Sequence, residues 1–144
     1  MVLLRHNKMT IRDAADVAKV FQDLLRLEDK IDRDKEHFYV MHLDSRQRIN
    51  LVELVAIGTL NAATVHPRET YRRAVTEGTQ GIIIAHNHPS GEVTPSDNDI
   101  RLTTQLEKAG EILYECQPKM APPRRPKVAP PGIMNWLLAI LGSP

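Results

Sequence analysis

Gly81-Ile-Ile-Ile-Ala-His-Asn-His-Pro-Ser-Gly-Glu-Val-Thr-Pro-Ser-Asp-Asn-Asp99 passes from an unbroken apolar run into a polar loop that ends at a helix start. The run 81–85, followed by turn formers, predicts a strand buried on both faces. Pro89, Ser90, Gly91 and Pro95 predict a tightly turned connection. Ser96 followed by Asp97 and Asp99 predicts the capped, acidic first turn of a helix whose apolar positions include Ile100, Leu102, Leu106 and Ile112. A buried strand leading through a short loop into a helix argues for an α/β fold, in which ligand sites lie at strand ends.

Upstream, Thr10-Ile-Arg-Asp13 offers an N-cap and an early carboxylate. Ala14, Val17, Ala18, Phe21, Leu24 and Leu25 then recur at helical spacing, predicting an amphipathic helix to about Leu27. Residues 38–43 and Ile49–Ile57 are rich in aromatic and aliphatic β-formers, and Asp44-Ser-Arg-Gln47 between them predicts a turn, hence a hairpin. His66-Pro67-Arg68-Glu69 has proline where a first helical turn tolerates it, and the helix is expected to stop at Gly78. The predicted order is helix, strand, strand, helix, strand, helix, without internal repeats.

From Gln117 onward prolines at 118, 122, 123, 126, 130 and 131 alternate with basic residues, which removes backbone donors and blocks helix. Residues 1–116 are therefore expected to form one domain and 117–144 a proline-rich, basic tail, with 132–144 either a short docking helix or unstructured. The apolar stretch 133–141 is interrupted by Asn135 and falls far below the roughly 20 residues that span a bilayer, so no membrane partner is expected.

Composition narrows the function classes. With 42% hydrophobic residues, 26% charged residues and a formal charge of +1, the chain reads as globular and has no global attraction to polyanions. Cys116 is the single cysteine and cannot form an internal disulfide, and nothing near Met1 resembles a leader, so a reducing cytoplasm is the expected setting. Cys116 has no activating neighbour in sequence and reads as structural.

The chemistry concentrates at the loop. Residues two apart in an extended segment point to one side, so His86 and His88 can present two imidazoles to one point, and Asp99 in the next helix can fold back to it. Two neutral imidazoles and a carboxylate form the donor set of a catalytic zinc that keeps its fourth position open. Histidines two apart also occur as surface pairs; the rigid turn and the buried strand leading into them favour a site. His37 and His66 could ligate or shuttle protons, but as loop histidines they read first as structural, and Glu69 with Arg68 reads as a solvated pair or a helix-start feature.

The pattern His86-x-His88, seven residues, Ser96, two residues, Asp99 resembles the JAMM signature of metal-dependent JAB/MPN domains. The longer string His-Asn-His-Pro-Ser-Gly-x-x-x-Pro-Ser-x-x-Asp is similar to the RadC-like branch, as are Gly58-Thr-Leu-Asn-Ala and Val65-His-Pro-Arg-Glu69. The resemblance runs from about Met9 to about Glu115. It implies an α/β architecture of the JAB/MPN (cytidine-deaminase-like) kind, a mixed β-sheet sandwiched by helices, with Zn²⁺ held by His86, His88 and Asp99. It also implies a glutamate at the start of the first strand as general acid/base, which here is Glu36 rather than Glu28, Glu53, Glu69 or Glu77. Ser96, a helix cap on local grounds, would by the same resemblance donate to a developing oxyanion. The implied reaction is metallopeptidase or isopeptidase hydrolysis of a peptide or isopeptide substrate.

The chain departs from that family in two places. At 144 residues it is expected to lack the helical, helix-hairpin-helix-type region often found ahead of the domain, the part most readily linked with DNA. The tail lacks the Asp-His pair found where relatives return to the sheet, so the sheet is expected to be without its C-terminal strands. The alternative function is a non-enzymatic accessory role in DNA repair or recombination, with Arg124-Arg-Pro-Lys127 contacting phosphates; the absence of interleaved aromatics gives nucleic acid little support. A third is a remnant without activity.

Overall fold

The computed structural model describes residues 1–5, 9–58, 65–91, 94–114, 127–128 and 136–141. In chain order these form β1 (Val2–Arg5), α1 (Ala14–Arg26), α2 (Lys30–Arg33), β2 (His37–Leu43), β3 (Ile49–Ile57), α3 (Pro67–Glu77), β4 (Gly81–Asn87), α4 (Asp97–Tyr114), β5 (Lys127–Val128) and β6 (Trp136–Leu141). The strands make one sheet in the order β1-β3-β2-β4-β6-β5, with helices on both faces.

Alternation along β2 and β4 explains why both strands are buried throughout. Tyr39, Met41, Ile83 and Ala85 face one side, where Val17, Phe21 and Leu25 of α1 cover them. Phe38, Val40, Ile82 and Ile84 face the other, against Tyr71 and Ala74 of α3 and Leu102 and Leu106 of α4. Fully burying each large apolar side chain contributes about 1.5–3 kcal/mol, so these two clusters fix the register of the central strands: a slip of one residue would exchange the two faces.

All pairings among the described strands are antiparallel, where a mixed sheet is the expectation. The reason lies in the crossover. The chain leaves β3, passes through α3 and returns as β4, parallel to β3, but β2 lies between them and is antiparallel to both.

Local differences have local causes. Asp13, not Thr10, caps α1, because its carboxylate accepts from the Ala15 and Asp16 amides at 2.9 and 3.0 Å, while Thr10 bridges to Arg48. The hairpin turn forms as expected: Asp44 accepts from the Arg46 and Arg48 amides at 2.8 and 3.0 Å. At the end of α3, Gly78 adopts φ 61°, a left-handed C-cap that costs glycine nothing. In the stretch read as a tail, residues 136–141 pair with β4 and residues 127–128 pair with β6, so the chain does return to the sheet. Cys116 and Arg124-Arg125-Pro126 lie outside the described residues. No helix among the described residues is long and apolar enough to cross a membrane.

Candidate metal centre

β4 runs two residues past the apolar stretch, so His86 is a strand residue rather than a loop residue, with Phe38 of β2 as its Cα partner. His86 is 5% exposed and Asp99, in the first turn of α4, is 7% exposed. His88 follows the strand at once, and its carbonyl accepts from the Gly91 amide at 3.1 Å, closing the Pro89-Ser90 turn. The two imidazole rings lie 4.7 Å apart between centroids, inclined by 28°.

The three side chains expected as ligands meet. One donor atom from each of His86, His88 and Asp99 lies within 4.8 Å of the other two. His86 Nε2 is 3.4 Å from Asp99 Oδ1, and His88 Nε2 is 3.6 Å from Asp99 Oδ2. Those separations exceed the roughly 2.7–3.2 Å of an N–H···O hydrogen bond. They are close to the edge, about 3.3 Å, of a tetrahedron whose ligands sit about 2.0–2.1 Å from a central ion. The donor set and its spacing therefore fit a metal ion.

Electrostatics favour the metal-binding form of His86. Burial pushes its imidazole down to about 4; the Asp99 carboxylate opposes that shift and neighbouring His88 reinforces it. A neutral ring keeps a lone pair available for a cation.

Ser96 sets the orientation of Asp99. Its amide and its hydroxyl donate to Asp99 Oδ2 at 2.8 and 2.7 Å, and its Oγ lies 3.2 Å from the Asp99 amide, which donates to it. This reciprocal cap is what the spacing Ser-x-x-Asp makes available at a helix start. It leaves Oδ1 directed toward His86. An outer partner that fixes a ligating carboxylate is a usual companion of a metal site.

Glu36 stands immediately before β2, half-buried, and its carbonyl accepts from the Gly58 amide at 2.8 Å. Phe38, two residues on, belongs to the α4-side cluster and pairs with His86, so strand alternation carried back from Phe38 reaches Glu36 on that same side. The flanking main chain is held by a residue that sequence reasoning passed over. Asn87, 4% exposed, accepts from the His37 amide at 2.7 Å and donates to the Lys35 carbonyl at 3.0 Å. Its signal was its place between two histidines in a strand, which turns it to the opposite face.

The remaining candidates have structural work. His37 is buried, places Nδ1 2.9 Å from the Lys35 carbonyl and stacks on Tyr39. His66 caps α3 by accepting from the Arg68 amide at 3.1 Å. Glu53 is bound to His42 and Arg73 far from the strand ends, and Glu69 pairs with Arg68 and Arg72.

The profile of the RadC-like JAB domain matches residues 11–114. A UPF0758 protein of Chlorobium chlorochromatii is 45% identical over 82 residues, covering 57% of this chain and 37% of its own length. UPF0758 proteins of Chlorobium phaeovibrioides and Staphylococcus epidermidis are 38% and 39% identical over 109 and 107 residues, covering 76% and 74% of this chain. The chain spans less than half the length of these relatives, 37–47%. With its described core and the His86, His88 and Asp99 cluster inside the matched region, the chain belongs to the RadC-like JAB domain family.

Proposed function

We propose that the chain is a zinc-dependent hydrolase of amide bonds, a metallopeptidase or isopeptidase, with His86, His88 and Asp99 as metal ligands. The observation that carries this reading is the convergence of two imidazoles and one carboxylate at 3.4 and 3.6 Å, too long for hydrogen bonds and right for ligands of one ion. Zinc, when bound, supplies a water whose pKa falls toward roughly 7 and a Lewis acid for the substrate carbonyl.

The protein residues supply the rest. Glu36 accepts the proton of the attacking water and returns it to the leaving amine, a task that needs a carboxylate beside the ion and not on it. Its support is the strand-start position and its alternation with Phe38. Ser96 orients Asp99 through its hydroxyl and is assigned a second task, donating to the oxygen on which negative charge develops.

Elemental analysis of the purified chain beside His88→Ala is the direct test. About one zinc per chain, lost in the variant, supports the site; no stoichiometric metal in folded protein after zinc addition overturns it. Against a panel of peptide and isopeptide substrates, Glu36→Gln is expected to abolish turnover with zinc retained. Turnover at the original rate would remove Glu36 from the mechanism.

A further inference from the structure

On the α1 side of the sheet, a cleft of about 520 Å³ opens between α1, α2 and the end of β4. Its walls include Arg26, Lys30, Arg33 and Asp34 on the helical side and Asn87 and His88 on the strand side. We propose that this cleft binds an acidic segment of a peptide substrate, with Arg26, Lys30 and Arg33 taking up its carboxylates. The inference rests on the hydrolase reading for its connection to catalysis, and on the cleft alone for binding.

The charges are grouped by the fold. Arg26 lies in the last turn of α1, and Lys30 and Arg33 are one turn apart on α2, so three cations and one anion face a single concavity. Residues 23–36 as a stretch hold six carboxylates beside four cations, so the excess of cations is confined to the lining of the cleft, three against one. Arg26 already pairs with Asp23 at 3.2 Å and also suits the negative end of its helix, which is the plain structural account of that residue. That account does not extend to Lys30 and Arg33: among the described residues neither side chain has an ion-pair partner. A concave site focuses such charge and favours an anionic ligand.

The class of anion follows from the rest of the wall. The volume lies within the roughly 300–1,000 Å³ of sites that enclose small ligands or short peptide segments. Among the residues lining the cleft, His88 alone carries an aromatic ring, so it lacks the stacking platform that single-stranded nucleic acids use. Asp34 sits among the cations, where it would repel a continuous row of phosphates but accept from peptide N–H groups. Carboxylates meet arginine in paired hydrogen bonds. His88 belongs both to this wall and to the ligand group, so a chain lying in the cleft has one end at the metal centre. A preference for Asp or Glu within a few residues of the scissile bond follows.

The test uses the full chain and a fluorescein-labelled tri-glutamate peptide, with tri-lysine, tri-serine and oligothymidylate as comparators, read by fluorescence anisotropy. Tri-glutamate is expected to bind in preference to the others and to weaken with added salt. Lys30→Gln/Arg33→Gln, on exposed positions of a short helix, is expected to weaken it about tenfold or more with an unchanged melting temperature. Binding is expected to persist after chelation, because the proposed carboxylate contacts come from Arg26, Lys30 and Arg33 and not from the metal. Equal binding of tri-lysine, an unchanged affinity in the double variant, or stronger binding of oligothymidylate would each overturn the proposal. Binding without hydrolysis would leave it standing while counting against the hydrolase; zinc binding and turnover without an acidic preference would do the reverse.

Discussion

The side chain of Asn87 holds the main-chain N–H of His37 at 2.7 Å, tying the entrance of β2 to the end of β4 that carries His86. The same amide donates to the Lys35 carbonyl, so Glu36 lies between two fixed points. Asn87→Ala would leave a buried N–H without its partner and is expected to cost about 2–3 kcal/mol. Zinc content is expected to stay near wild type, because Asn87 faces away from the ligand group, while turnover falls as the Glu36 segment loosens. Asn87→Asp keeps the acceptor for His37 and is expected to recover part of the stability. Calorimetry with elemental analysis separates the outcomes: loss of zinc along with stability would mean that Asn87 supports the whole site and not the Glu36 segment.

Ser96 gives a second handle on the site. Ser96→Ala removes the hydroxyl that donates to Asp99 Oδ2 and accepts from its amide. Loss of an N-cap costs about 1 kcal/mol, and loss of an outer partner lowers metal affinity roughly 10–100-fold. Competition against a chromogenic chelator should register the affinity change as a faster, lower-concentration loss of zinc. An affinity equal to wild type would show that the Ser96 amide alone orients Asp99.

Much of this was legible before any coordinates. Ile49–Ile57 declares itself by its run of Leu, Val and Ile, and the clustering of His86, His88 and Asp99 by a spacing that needs only a strand, a tight loop and a helix start. What escaped depends on partners distant in sequence. Asn87 has a role only because β2 lies beside β4, some fifty residues away in the chain. Residues 136–141 form an unalternating apolar run that suits a buried strand as well as a docking helix, and only pairing with β4 decides. Nothing in the sequence singles out Lys30 and Arg33; only the placement of α2 brings them to the wall of the cleft.

Gly110 shows how closely α3 and α4 approach. A Cβ there would lie 2.5 Å from the Tyr71 hydroxyl, which donates to the Leu106 carbonyl at 2.9 Å. Alanine favours helix over glycine by about 1 kcal/mol, but overpacking of this kind costs about 1–3 kcal/mol, and here it also displaces a buried hydrogen bond. Gly110→Ala is therefore expected to lower stability by about 1–2 kcal/mol, and adding Tyr71→Phe, which removes the colliding oxygen, to restore part of it. Chemical denaturation of the two variants decides; a stabilised Gly110→Ala protein would mean that the helices move apart at little cost.

Acid should destabilise the chelated protein in two windows. Burial holds the folded His86 pKa at about 4, below its ordinary value of 6.5, so the unfolded chain takes up a proton first. Stability is therefore full above 6.5 and falls as pH drops toward 4, by on the order of 3 kcal/mol. Glu53 acts lower. Burial works to raise its pKa, but hydrogen bonds from His42 and Arg73 outweigh that and hold it below its ordinary 4.5. Its contribution is present above 4.5 and is lost as pH falls below that value through the folded pKa. Melting temperatures measured from pH 7 downward should decline in both ranges, and Glu53→Gln should flatten only the lower one. Zinc should suppress the upper decline, since a ligated imidazole resists protonation until the ion leaves. An upper decline of the same size with and without zinc would show that the metal does not engage His86.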